Sequence, residues 1–292
     1  MKISNKEYLA HFIALTTIII WSLTFVQTKV LLEYLTPIEI LIDRFIIAWF
    51  LFFIIVPKVI FFSPKEELLF IFLGFTGIFG YYILENLALK YSKAINVGVI
   101  VTTAPIFTAL ILLFIKKAPK QKVIFTFLGF ILVLVGLLIM DYQKFSTLNI
   151  GDLLALIGAL SFGVYSFLLS KVDNRYNLFI VTRKSFFWGI IFLSIYFYIT
   201  HQTFAPIEIY KKPLIWSNLL FLALIASGLC FLMWRYAVSI IGSSKTSNYI
   251  YLIPILNSLA AIYILGEKLD INTTIAMVLV LGGLFIAQKY GI

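Results

Sequence analysis

Charged side chains are scarce in this sequence. Asp, Glu, Lys and Arg supply 12% of its 292 residues, about half the share found in soluble domains. That scarcity excludes a globular protein whose surface meets water. Cysteine is nearly absent as well. The lone Cys230 rules out an intramolecular disulfide, and its place inside an apolar run reads as a small buried residue. The two histidines, His11 and His201, fall at the ends of predicted helices without ligand-spaced partners, so no metal site is expected. No Walker-type phosphate loop occurs, which argues against ATP-driven transport by this chain alone. No Gly-x-Ser-x-Gly elbow and no His/Cys/carboxylate cluster is present. The chain therefore reads as a non-enzyme, with no catalytic residues and no cofactor.

Apolar residues fill what remains. They make up 62% of the chain, and the mean hydropathy of +1.05 makes lipid the solvent for most of it. A membrane-spanning helix needs roughly 20 apolar residues. Turn chemistry divides the sequence into ten such spans, at 9–30, 37–57, 67–89, 95–115, 123–141, 151–171, 178–199, 214–238, 246–265 and 272–289. Pro37 and Pro57 bracket the second, Ser63-Pro64 precedes the third, and Lys211-Lys212-Pro213 precedes the eighth. Helix is required, because an open strand leaves unpaired backbone groups in lipid and a barrel would alternate polar and apolar residues. The basic start at Lys2 and Lys6 leads into a run to about Val30, too long for a signal core and without a small-x-small cleavage site. It is expected to be a retained first span.

The net charge of +10 does not point to nucleic acid. The basic residues sit in ones and twos between apolar runs, as in Lys58, Lys65, Lys90, Lys93, Lys211 and Lys212, a pattern of interfacial loops. Alternate connections are unequal. With the N-terminus inside, fourteen Lys and Arg residues fall on its side and seven on the other, leaving Arg44 and Arg235 within spans. Both termini of this multi-pass membrane protein are thus expected in the cytoplasm.

The halves echo each other. Ala88-Leu89-Lys90-Tyr91-Ser92-Lys93-Ala94 precedes Pro105 by eleven residues, and Ala237 to Ser243 precedes Pro254 by the same interval. Each half ends in an apolar span with paired glycines, Gly129 and Gly136 in one, Gly282 and Gly283 in the other. Five spans is an odd number, so a repeat of five enters the membrane from opposite sides. The fold class expected is all-α integral membrane, ten transmembrane helices as two inverted five-helix repeats, 1–145 and 146–292.

The stretch Leu87-Ala88-Leu89-Lys90-Tyr91 running to Pro105, the stretch Tyr249-Ile250-Tyr251-Leu252-Ile253-Pro254 running to Leu265-Gly266-Glu267-Lys268-Leu269, and Trp21-Ser22 in the first span resemble the EamA-type family of the drug/metabolite transporter superfamily. The resemblance covers the whole chain. One departure is that Lys117-Ala118 stands where the second half has Gly266-Glu267. The resemblance implies a central cavity lined by spans 1, 3, 4, 6, 8 and 9, alternating access, and secondary active transport, often outward, of small metabolites such as amino acids. Its partners would be that small molecule and the bilayer of the cell (inner or plasma) membrane, with a homodimer left open beside a monomer. A membrane-embedded enzyme or a sensory protein without transport is the alternative. The enzyme would need a denser set of titratable groups, and the sensor an asymmetric bundle or a long soluble extension.

Ionisable groups inside a membrane are costly and mark function by default. Glu85, after Tyr81 and Tyr82 and before Asn86, is the sharpest candidate. A carboxyl in low dielectric exchanges its proton according to which side the cavity faces, or it meets a substrate ammonium. A structural pair with a neighbouring Lys or Arg is the other reading. The proline register sets Trp234 against Glu85 and Arg235 against Asn86, so a zwitterion could place its ammonium on Glu85 and its carboxylate on Arg235. Arg235 could instead pair with Glu85 or snorkel to the interface. Thr102 and Thr103 before Pro105, and Ser247, Asn248, Tyr251 and Asn257 around Pro254, surround carbonyls freed by helix-kinking prolines. These groups bind ligand or satisfy one another. Trp21, Phe162 and Tyr165 are candidate cavity walls in a chain that is 17% aromatic. Glu39 and Asp43, four apart, suggest a hydrated interfacial patch with Arg44 or loop lysines. Gly74, Gly77 and Gly80 suggest close helix packing.

Overall fold

The computed structural model describes residues 5–115, 119–140, 149–172, 176–242, 246 and 248–291, and the described residues contain helices and connections but no strand. The helices are α1 (Asn5–Leu31), α2 (Pro37–Ile55), α3 (Pro64–Tyr91), α4 in two segments (Ala94–Val101 and Ala104–Ile115), α5 (Lys120–Met140), α6 (Ile150–Leu169), α7 (Leu178–Ile199), α8 (Pro213–Ile241), α9 (Tyr249–Leu265) and α10 (Ile271–Tyr290). Eight of them are long and apolar enough to cross a membrane, and α9 is a shorter apolar helix. The remaining helix, α2, has 19 residues and carries Glu39, Asp43 and Arg44. The chain is a multi-pass membrane protein, with its large apolar side chains turned outward along α5, α6 and α10.

Local chemistry fixes the helix ends. Thr36-Pro37 and Ser63-Pro64 each start a helix with proline in the first turn, and in both a glutamate three residues after the cap closes a capping box, Glu39 on Thr36 and Glu66 on Ser63. Asn149, Asn177 and Asp270 cap α6, α7 and α10. Gly266 ends α9 at φ +66°, a left-handed position that suits glycine.

Two helices contain π-helical stretches, Gly74–Gly80 in α3 and Phe221–Leu229 in α8. The offset that carries Pro105 onto Pro254 also carries Gly80 onto Leu229, so the two stretches end at equivalent points. Such stretches widen the backbone turn and frequently occur at functional sites. In α4 the helix breaks at Thr102-Thr103, just before Pro105, because proline offers no amide hydrogen and crowds the carbonyl one turn earlier. In α9 the first turn is 3-10 (Asn248–Leu252), and α-helix resumes with Pro254 in its first turn.

The tightest helix pair is α5 with α10, the last helix of each half. A Cβ on Gly129 would lie 2.4 Å from the Gly283 carbonyl oxygen, and a Cβ on Gly283 would lie 2.5 Å from that of Gly129. The two backbones touch there, as small residues allow in lipid. In α3, a Cβ on Gly77 would enter the Tyr165 ring of α6, which bears out close packing at that glycine.

The two ends of the bundle differ. At one end Lys29 pairs with Glu267 at 3.3 Å and donates to the Ser92 carbonyl. The Glu267 carboxylate accepts the amides of Ala94 (2.8 Å) and Ile95 (3.0 Å), the first two residues of α4. Asp152 accepts from the Ser92 hydroxyl and from Asn96. There the first segment of α4 packs on α1, α3, α6 and α9. Toward the opposite end its second segment packs on α6, α5 and α10, and the first turn of α9 packs on α1.

Candidate functional site

Three helices bring two buried ionisable side chains, Arg44 and Glu85, into one region inside the bundle. Arg44 lies seven residues into α2, roughly 10 Å along the helix from Pro37, and is 3% exposed. Its Nε donates to Ser227 Oγ at 2.7 Å, a residue of the π-helical stretch of α8. Its guanidinium lies over the Tyr82 ring at 4.6 Å and near Phe45 at 5.4 Å, so aromatic faces replace part of its hydration. The thiol of Cys230 stands beside Arg44 and Tyr82, fully buried.

Glu85 follows Tyr81 and Tyr82 by one helical turn, which sets all three on one side of α3. It is 4% exposed. The Tyr81 hydroxyl is its hydrogen-bond neighbour, and Arg44 is the opposite charge beside it. Yet no ion pair joins the two among the described residues, and Glu85 Oε2 receives no hydrogen bond from them. Around the carboxyl, Tyr81 meets Phe162 of α6 at 4.8 Å, and Phe162 meets Tyr165 at 5.4 Å. On the α8 side Trp21 donates from Nε1 to the Ala226 carbonyl at 3.0 Å and packs on Phe231 and Trp234 at 5.9 and 5.2 Å. Trp21, Tyr82, Glu85, Tyr165 and Trp234 thus belong to the region where α1, α3, α6 and α8 meet.

Other expected site residues are occupied elsewhere. Asn86 donates to the Pro37 carbonyl at 3.4 Å. The Thr102 and Thr103 hydroxyls are buried and return to the carbonyls of Val99 and Ile100, both at 2.6 Å. The break at Pro105 is therefore satisfied within the helix. Beyond Pro254, Asn257 donates across to the Ala94 carbonyl at 2.7 Å, and the Tyr251 hydroxyl bonds Leu284 and Gln288 of α10. Arg235 is half-buried one residue past Trp234. It forms no ion pair with Glu85 among the described residues. Ser247 and the Asn248 side chain lie outside the described residues.

Arg44 is the residue that sequence reasoning misplaced. The hydrated patch expected around Glu39 and Asp43 does not form. Glu39 is 1% exposed, completing the Thr36 capping box and accepting the Ala205 amide, while Asp43 accepts from Tyr210 at 3.1 Å. Both acids hold the α7–α8 connection, and Arg44 points away from them into the bundle. A groove of about 390 Å³, lined by Asp43, Ile46, Phe204, Tyr210 and Trp216, lies along that connection, apart from the charge pair. The described residues hold no cluster of three His, Cys, Asp or Glu side chains that could bind a metal ion.

Apolar helices with outward-facing side chains surround a small buried charged and aromatic centre, as in a multi-pass membrane protein. The chain belongs to the EamA-like transporter family, whose model matches it twice, over residues 8–141 and 149–288. It is 29% identical to an uncharacterized transporter of Archaeoglobus fulgidus, covering 94% of this chain and 96% of the relative. It is 28% identical to the uncharacterized transporter YyaM of Bacillus subtilis, over 77% of this chain and 74% of that one. A protein of Salmonella typhimurium named a probable amino-acid metabolite efflux pump is 24% identical, over 94% and 93% of the two chains. A solved crystal structure shares the fold with a TM-score of 0.63 at 18% identity, covering 95% of this chain and 96% of that chain.

Proposed function

We propose that this protein is a secondary active exporter of small metabolites such as amino acids, working by alternating access through a cavity between two inverted five-helix repeats, 1–145 and 146–292. The observation that carries the reading is Glu85, a buried carboxyl with one oxygen unpartnered among the described residues, where helices of both halves meet. A group so placed in lipid is costly unless it serves a ligand or a proton. The matched π-helical stretches in α3 and α8 and the tight α5–α10 pair support the repeat. So do the two family matches, one per half. The basic-residue asymmetry supports termini in the cytoplasm, and the name of the Salmonella relative supports the direction and class of cargo. Trp21, Tyr82, Glu85, Tyr165, Trp234 and Arg235 line the site, Asn86 holds α3 to the start of α2 beside it, and Glu85 is the candidate for proton coupling. Thr102, Thr103, Asn248 and Tyr251 stand at the kinks that let α4 and α9 move.

The test expresses wild type and Glu85→Gln at equal membrane levels and follows metabolites in the medium by mass spectrometry. One metabolite class is expected outside with wild type and not with the variant. An equal rise with both proteins would remove Glu85 from the mechanism, and no change with either would refute export.

A further inference from the structure

The central site contains two opposite charges that are neighbours and do not pair. Arg44 reaches it from α2, in the first half, but is anchored on Ser227 of α8, in the second. Glu85 reaches it from α3, beside the Tyr81 hydroxyl. Each is more than nine-tenths buried. Arg44 gives its Nε to Ser227 and has the Tyr82 side chain as a further hydrogen-bond neighbour, and it forms no ion pair with a carboxylate among the described residues. Glu85 gives one oxygen a neighbour and leaves Oε2 with none among them.

Two ions buried in low dielectric attract strongly, and breaking such a pair leaves an uncompensated charge. Contact would be the stable outcome if nothing prevented it. Here each ion is fixed by its own second contact, and the aromatic rings of Phe45, Tyr81 and Tyr82 pack between the helices that carry them. The result is a preformed dipole with an acceptor at one end and a forked donor at the other. A guanidinium fork suits a carboxylate, and a carboxylate oxygen lacking a donor suits an ammonium. Holding the two apart in advance removes the reorganisation that binding would otherwise require.

The geometry points to Arg44, acting with Glu85, as the receptor for the anionic end of a zwitterion: the ligand's carboxylate meets the Arg44 terminal nitrogens and its ammonium meets Glu85 Oε2. This rests on the transporter reading of the same site and adds a specificity residue to it. It moves the anion-binding role from Arg235, half-buried near the C-terminal end of α8, to a buried cation on α2. A molecule bearing only one of the two charges would leave the other ion unsatisfied, so the site discriminates by charge at both ends.

The experiment uses the full-length protein in liposomes, with counterflow of each of the twenty standard amino acids as labelled probe. For one that moves, the matched decarboxylated amine and the matched deaminated acid follow. Wild type is expected to prefer the amino acid over either analogue by about a hundredfold, since a buried charge left unpaired costs several kcal/mol. In Arg44→Met that preference over the amine should fall about tenfold or more, with amine flux kept. In Glu85→Gln the preference over the deaminated acid should fall instead. Should Arg44→Met fail to reach the membrane, Arg44→Lys decides, because it keeps the charge and loses the fork. An unchanged amino-acid to amine ratio in that variant would overturn the proposal. Equal loss of amino acid and amine in Arg44→Met would also overturn it, leaving Arg44 a structural group. If amines or acids move and no amino acid does, the zwitterion is wrong and transport stands. If no probe of any class moves, the transporter reading itself fails.

Discussion

The charges around Glu267, at one end of the bundle, and those around Glu85 obey opposite rules. At the end that carries Lys29, three acids each have a partner that explains them: Glu267 holds Lys29 and two backbone amides, Asp152 holds Ser92 and Asn96, and Asp270 holds Lys93 at 3.4 Å. At the centre Arg44 and Glu85 stand side by side without joining. Satisfied polar networks fix a structure, whereas a half-satisfied one is a cost that a fold retains only for use. The difference separates residues that hold the helices from the two to which we assign a ligand, although all of them are polar groups in an apolar protein.

The sharpest way to break the comparison is to neutralise one member of each set. Glu85→Gln should reduce transport by about a hundredfold or more, as expected when a charge contacting the ligand is removed, while its melting temperature in detergent changes little, because the carboxyl it replaces is in no ion pair among the described residues. Glu267→Ala should do the reverse. Losing the cap on α4 and the Lys29 pair should cost about 2 kcal/mol, read as a lower melting temperature, with transport falling only as folded protein falls. If Glu267→Ala keeps full stability yet abolishes transport, the two ends do not differ as described. Gly283→Ala, far from both, should cost about 1–3 kcal/mol through backbone collision with Gly129, with cargo selectivity unchanged.

The smallest effect belongs to Asp270, at the membrane edge. Burial pushes its carboxyl up, but the Thr273 amide and hydroxyl and the Lys93 ammonium outweigh it and hold it below the ordinary carboxylate value. A depressed acid contributes stability above its unfolded value, about 3.9, and loses it as the pH falls through the folded value. Asp270→Asn should therefore flatten the acid limb of a melting-temperature profile slightly. The exposed Lys93 partner limits the Lys93–Asp270 contribution to well under about 1 kcal/mol.

How much of this was legible in the sequence depended on how far each interaction reaches along the chain. Helices were legible because twenty apolar residues and a flanking proline are local signals, and the helix bounds of α2, α3 and α8 fall within a few residues of those expected. The break in α4 was legible from Pro105, though not its internal repair by Thr102 and Thr103, which turns on which way two hydroxyls rotate. Glu85 stood out because a lone acid in an apolar run needs no partner to be noticed. Arg44 did not, because Glu39 and Asp43 sit beside it in sequence and offered a nearer explanation. Its real anchor, Ser227, is 183 residues away. Glu267 was noticed for the turn that carries it, but its function as a cap for a helix in the other half depends on tertiary placement that no pattern within one half encodes.

The buried Cys230 has a practical side. It is the only thiol in the chain, and it is fully enclosed beside Arg44. A cysteine introduced at a bundle end would then be the sole accessible attachment point for a spin label or a fluorophore. Pairs of such labels across α4 and α9 would report how far each end opens, in the native sequence and without first building a thiol-free background.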